Sequence, residues 1–229
     1  KKSINIMPDF AEAHNNLGIT LMDLGQHNEA LDCYVKAILI KPDYADAYNN
    51  QGIVLNTLGN QERADISYQK AIKIKPDFAV AYSNRADLLT ILNRFDEALK
   101  CYEKSLLLNP DKGFTFGNML HVKMHLCNWT DCSSQLNELR QKINDKKKIV
   151  EPFALLALID DPKIQRTATE IYVQEKYPRS YILPKIEKYP DSLKIRIGYF
   201  SADFREHPVA NLTAELYETH NRDQFEVYA

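Results

Sequence analysis

The sequence predicts a mainly α-helical fold, an α-solenoid of stacked helix hairpins that gives way to a short β-α-β piece. Three observations predict it. Pro8, Pro42, Pro76 and Pro110 fall 34 residues apart, a period that belongs to helical repeat arrays. Between the prolines, small, aromatic and turn-forming residues recur in register. All six remaining prolines lie after residue 150, where a run of β-branched and aromatic residues also appears.

Three blocks beginning at Ala11, Ala45 and Ala79 carry the repeat. Their eighth place is Gly18, Gly52 and Ala86, small enough for two helices to approach closely. A second small column, Ala30, Ala64 and Ala98, is followed by Tyr34, Tyr68 and Tyr102 and then by Ala37, Ala71 and Ser105. Between the two helical stretches stand Gly25, Gly59 and Asn93, the residue types that most readily take the left-handed conformation ending a helix. Each block is therefore a helix hairpin. It closes on Lys-Pro-Asp or Asn-Pro-Asp, where proline limits the second helix and the aspartate, with Phe10, Tyr44 or Phe78 after it, begins the next. Ser3, Ile4 and Pro8 fit the tail of an earlier hairpin, so further repeats are expected upstream.

Beyond Pro110 the register weakens. Phe116, Met119 and Leu120 hold first-helix positions, but the small columns fail by Cys127-Asn128-Trp129. Cys132, Leu136, Leu139 and Ile143 keep helical spacing up to Lys146-Lys147-Lys148, a run read as a solvated loop, with a phosphate contact as the sharper alternative. Pro152 to Leu158 is apolar, Asp160-Asp161-Pro162 is a turn, and a helix follows through Ile171. Residues 177 to 191 read as an extended, proline-pinned linker. Leu193 to Phe200 then reads as a buried strand, 207 or 208 to 218 as a helix, and Phe225 to Ala229 as a second strand. The domain reading is 1–126 for the repeats, 127–190 for a helical junction and linker, and 191–229 for the β-α-β piece. So small a piece buries too little apolar surface to fold unaided.

Composition narrows the function. With 29 basic against 31 acidic residues and a formal charge of −2, nothing favours nucleic acid or an anionic membrane surface, and no apolar run is long enough to span a bilayer. The expected partners are proteins, in the cytoplasm. Cys33, Cys101, Cys127 and Cys132 read as reduced thiols, two of them on buried second-helix positions. His121, His125, Cys127 and Cys132 have an alternative reading as zinc ligands; the plainer one is a degenerate last hairpin.

The recurring columns resemble the tetratricopeptide repeat. The order of parts goes further: repeats, a Cys-Asn-Trp-Thr-Asp junction, Pro-Phe-Ala-Leu-Leu-Ala-Leu, then Ile-Arg-Ile-Gly-Tyr-Phe-Ser-Ala-Asp-Phe-Arg-Glu-His-Pro. It is similar to bacterial protein O-linked N-acetylglucosamine transferases. That resemblance implies a superhelix presenting proteins to a two-lobed GT-B glycosyltransferase, which moves N-acetylglucosamine from UDP-GlcNAc to serine or threonine. The stretch 191–229 would be the start of the first, Rossmann-like lobe, and this stretch of chain alone is expected to be inactive and to hold no cofactor. The resemblance places His207 near the reacting centre, where an imidazole can move a proton near neutral pH; the plain reading has it capping its helix. Asp203 and Arg205 share that loop and are explained by turn formation.

The family's inner-face asparagine column falls on Asn16, Asn50, Asn84 and Asn118. An amide both donates and accepts, so such a ladder can clamp a peptide backbone without reading its side chains; its alternative role is to satisfy contacts between repeats. Asn15, Asn49 and Ser83, beside the ladder, are expected to be merely exposed. The competing function is a non-enzymatic adaptor whose solenoid recruits a protein partner.

Overall fold

The structure, a computed structural model, describes residues 10–178, 194–198 and 219–228. The chain divides into two compact units, Lys1–Arg179 and Ser180–Ala229. In the first, six helices form the three hairpins: α1 (Ala11–Asp23) with α2 (His27–Ile40), α3 (Ala45–Thr57) with α4 (Gln61–Ile74), and α5 (Ala79–Ile91) with α6 (Phe95–Leu108). Then come α7 (Thr115–His125), α8 (Cys132–Asn144), α9 (Pro152–Leu158) and α10 (Pro162–Lys176). The earlier hairpin tail read into residues 1–9 lies outside the described residues.

The turn chemistry appears where the sequence places it. Gly25 and Gly59 have φ of 73° and 79°, and Asn93 has 57°. Cys127, the next residue in that register, also takes a left-handed φ of 50°. The 34-residue period thus outlasts the residue type that normally serves it, and α7–α8 is a fourth hairpin. The helix starts differ from expectation. Phe10, Tyr44 and Phe78 occupy the N-cap positions, and no side chain caps α1, α3 or α5, so Asp43 and Asp77 precede their helices without capping them.

Packing follows the columns. Ala30, Ala64, Ala98, Ala37, Ala71, Ser105 and the three tyrosines are buried. The small eighth residue is where the tyrosine lies down: a Cβ at Gly18 would stand 2.5 Å from the Tyr34 ring, and one at Gly52 the same distance from Tyr68. Burial raises the Tyr34 phenol to about 12 and pushes Tyr68 and Tyr102 up as well.

A largely polar joint links the second and third hairpins. Arg85 Nε on α5 donates to Asp65 Oδ1 on α4 at 2.6 Å; Arg94 donates to Asp65 Oδ2 at 3.2 Å and Gln69 Nε2 to the same oxygen at 3.0 Å. Arg94 also grips Glu97 through two 2.7 Å bonds.

The far end of the stack closes on itself. One hydrophobic cluster runs from Leu89 and Tyr102 through Phe116, Leu120 and Val122 to Leu139, Ile149, Leu155 and Ile164, and so joins α5–α10. Gly117 N–H donates to the Ile149 carbonyl at 2.9 Å, pressing residues 148–150 so close to α7 that a Cβ at Gly117 would meet Val150 Cγ2 at 2.3 Å. The buried Lys123 ties α7 to α8 by donating to the Thr130 carbonyl and to Gln135 Oε1. Helix α10 has a side-chain cap: Asp161 accepts from the N–H groups of Lys163 and Ile164. It runs to Lys176, five residues beyond the predicted end, and Pro152–Leu158, read only as apolar, is helical.

In the second unit, β1 (Ile195–Gly198) pairs in parallel with β2 (Phe225–Tyr228), Ile195 opposite Phe225. Parallel strands need a crossover connection, and the candidate helix at 207–218 lies outside the described residues. β1 is not the fully buried strand expected. Arg196 is exposed and bonds Glu226 across the pair at 3.0 Å, and Ile197 is half-buried; among the described residues β2 is the one strand paired with it.

Candidate functional site

Successive first helices touch one another, α1 with α3, α3 with α5 and α5 with α7, whereas successive second helices make no comparable contact among the described residues. The first helices therefore line the inner side of the stack. Three of their positions lie where neighbouring first helices meet: the fifth and sixth, joined by hydrogen bonds across repeats, and the ninth, one turn on from the sixth.

The sixth is the asparagine column. Asn16 is exposed, and Asn50, Asn84 and Asn118 are half-buried. Asn50 Nδ2 donates to Asn15 Oδ1 at 2.9 Å, and Asn84 Nδ2 donates to Asn49 Oδ1 at 2.9 Å. Asn49 Nδ2 in turn donates to Asn50 Oδ1 at 3.3 Å. The expectation that Asn15, Asn49 and Ser83 are exposed is corrected here: all three are buried. Asn15 and Asn49 accept the amide of the following repeat, while Ser83 turns its hydroxyl to the Val80 carbonyl. With no amide at position 83, Asn118 Nδ2 reaches Asp87 Oδ1 instead, at 3.4 Å. The column thus staples repeats together and keeps spare capacity on the inner face: among the described residues no hydrogen bond engages the side-chain amide of Asn16 or the side-chain oxygens Oδ1 of Asn84 and Asn118.

The ninth position reads Ile19, Ile53, Asp87, His121. The two isoleucines are 42% and 36% exposed, too much for core residues. Asp87 is exposed, with one carboxylate oxygen turned towards Tyr102 and Asn118. Desolvation by the surrounding protein pushes its carboxyl above the usual range and Glu151 adds to this; hydrogen bonds from Tyr102 and Asn118, and the charge of Lys112, oppose it. The Tyr102 hydroxyl donates to Oδ1 at 2.6 Å. Burial, and then the neighbouring His125, lower the His121 pKa, which favours the neutral imidazole at pH 7. Sequence reasoning missed this column, although its signal is plain: two apolar residues where a surface helix has no core to face, followed by two polar ones.

The remaining predicted residues fall as follows. His125 stacks on Phe95 with ring centroids 4.5 Å apart and meets His121 edge-on at 4.8 Å, while Cys127 occupies the exposed turn. No three His, Cys, Asp or Glu side chains group as metal ligands would among the described residues, so the structure does not bring the four together. In the basic run, Lys147 pairs with Asp111 at 3.1 Å and Lys148 with Glu175, which accounts for two of the three charges without a phosphate. Cys33 and Cys101 are buried free thiols. His207, Asp203 and Arg205 lie outside the described residues. No described helix is long and apolar enough to cross a membrane.

Comparison with known families decides the nature of the stack. The tetratricopeptide-repeat profiles match residues 11–44, 45–78 and 79–112 back to back, in the phase read from the prolines. Residues 11–112 are tetratricopeptide repeats. A curated relative, a probable UDP-N-acetylglucosamine–peptide N-acetylglucosaminyltransferase SEC of Arabidopsis thaliana, is 28% identical over 126 residues. That match takes in 48% of this chain and 13% of the relative, so the chain spans a small part of that protein's length. Among solved structures, MamA is similar with a TM-score of 0.53 and 19% identity, over 76% of this chain and 85% of that one. The first TPR domain of human RPAP3 is similar with a TM-score of 0.50 and 24% identity, over 54% and 98%. At such identities these structures speak for the fold alone.

Proposed function

We propose that the repeats hold extended segments of partner proteins along their inner face, and that they do so as the acceptor-recognition region of a protein N-acetylglucosaminyltransferase. The observation that carries the first part is the asparagine column, in which Asn16, Asn84 and Asn118 keep side-chain hydrogen-bonding capacity on the inner face, with Ile19 and Ile53 exposed beside it. An amide that donates and accepts suits any peptide backbone, which fits an enzyme with many acceptors. The second part draws on the likeness to the Arabidopsis transferase and on the sequence resemblance of 194–208. In that reading UDP-GlcNAc is the donor, serine or threonine hydroxyls of the held protein accept the sugar, and His207 assists proton transfer or orients the acceptor.

The test of the groove uses Asn16→Ala and Asn84→Ala together. Several unrelated acceptor peptides should lose affinity to a similar degree, whereas loss confined to one peptide would point to dedicated recognition. The test of the enzyme reading is transfer of radiolabelled N-acetylglucosamine from UDP-GlcNAc by the full-length gene product. His207→Ala there should cut turnover and leave peptide binding unchanged; unchanged turnover returns His207 to a capping role.

A second reading, a non-enzymatic adaptor, is favoured by one feature. The third repeat packs with α7–α10 in one hydrophobic cluster, so that end of the stack is covered by helices of the same unit. No sugar transfer by the full-length product, together with one tightly held partner, would establish it.

A further inference from the structure

The ninth-position column offers a selectivity that the asparagines lack. Asp87 replaces the isoleucine of the two preceding repeats. Its Oδ1 is engaged by Tyr102 and Asn118, while Oδ2 accepts no hydrogen bond among the described residues. Arg85, Arg94 and Lys147 are committed to Asp65, Glu97 and Asp111, and no cation forms an ion pair with Asp87 among the described residues. Lys112 acts on it only as a charge, against Glu151. An exposed carboxylate with one oxygen held in place and no counter-ion attracts a cationic ligand group arriving from the open side, an attraction that salt screens.

We propose that Asp87 is a specificity-determining residue that selects a basic side chain on the bound segment, set in line with two apolar ones that lie on Ile53 and Ile19. The inference rests on the groove reading above. Packed helices lie about 8–10 Å apart and an extended chain advances about 3.3 Å per residue, so one repeat spans about three residues of ligand. The favoured partner therefore carries arginine or lysine and two aliphatic residues at every third position, with the basic one at the α5 end. Exposed aliphatic side chains at 19 and 53 supply the apolar contacts, and the asparagines between them hold the backbone.

The test uses fluorescein-labelled synthetic peptides with one arginine and two leucines at every third position in a glycine–serine background. Both chain orders are made, and each has a partner peptide in which neutral citrulline replaces arginine. Binding to the 229-residue chain is read by fluorescence anisotropy. The arginine peptide in one chain order should bind about three- to tenfold more tightly than its citrulline twin, the range of a partly screened charge pair. The gap should close in Asp87→Asn, which keeps an oxygen for Tyr102, and should shrink with added salt. If peptides bind and lose affinity on Asn16→Ala with Asn84→Ala, yet arginine and citrulline bind equally, the Asp87 inference fails and the groove reading stands. If no peptide binds in either order, both fail.

Discussion

Replacing Arg85 by methionine tests whether the joint between the second and third repeats is held by charge or by packing. The side chains of Asp65 and Arg85 are only 9% and 17% exposed, and their atoms meet at 2.6 Å. Stranding one member of a buried pair costs about 3–5 kcal/mol when nothing else compensates. Here Arg94 at 3.2 Å and Gln69 at 3.0 Å remain on Asp65, and methionine fills much of the vacated volume. We expect a loss of about 2 kcal/mol at pH 7. The pH dependence gives the sharper check. Burial raises the Asp65 pKa, but the hydrogen bond and charge of Arg85, with Gln69 and Arg94, outweigh it and hold the carboxyl below its usual range. Such a group stabilises the fold above its unfolded pKa near 4, and that contribution fades as pH falls through the folded value. In the variant burial regains the upper hand, so protonation relieves the cost. The deficit should therefore shrink as the pH falls through the carboxylate range. Urea unfolding read by far-ultraviolet circular dichroism and by Trp129, the single tryptophan and a reporter for the α7–α8 end, checks it with two probes, as a repeat array requires. A deficit as large at pH 3 as at pH 7 would refute the electrostatic account.

Gly117→Ala and Gly52→Ala should part company. At Gly117 the new Cβ meets the Val150 backbone as well as its side chain, so about 2–3 kcal/mol should be lost. At Gly52 it meets a tyrosine ring, and helix propensity returns about 1 kcal/mol; equal losses in thermal unfolding would count against this. Asn49→Ala removes the acceptor of Asn84 and should cost about 1 kcal/mol, with faster amide exchange in α3 and α5 if the staple is real and none if it is not. Asp161→Ala should cost about 1 kcal/mol, seen as accelerated exchange at Lys163 and Ile164; protection unchanged at both would show the cap to be idle.

The period made the stack legible because each column has one physical job: a small residue admits a tyrosine, a glycine turns the chain. Cys127 shows the limit of that method, since the backbone kept its left-handed turn after the residue type had drifted. The asparagine column was legible in position but only half so in role, because an amide that can bind a ligand can also bind the neighbouring repeat. What escaped is what crosses repeats out of phase. Asn50 seeks Asn15, 35 residues away, and Asp65 seeks Arg85, 20 away; neither spacing is the period. A clue did exist: the seventh place reads Leu17, Gln51, Arg85, a column turning polar where a hairpin should pack on its neighbour.

The staple between fifth and sixth positions makes the repeats unequal as building blocks. Each repeat presents an acceptor at one edge and a donor at the other, so an array has a reading direction, like type set with matching notches. The first and second repeats offer an asparagine to whatever follows; the third, with Ser83, does not. Transposing the second and third repeats would take Asn50 from an amide oxygen and set it beside Ser83, leaving it Asp87, the acceptor that Asn118 now uses. Exchange or duplication of repeats during evolution, or in an engineered array, is thereby filtered by hydrogen-bond complementarity as well as by shape, and the order of the hairpins is itself a piece of information held in the fold.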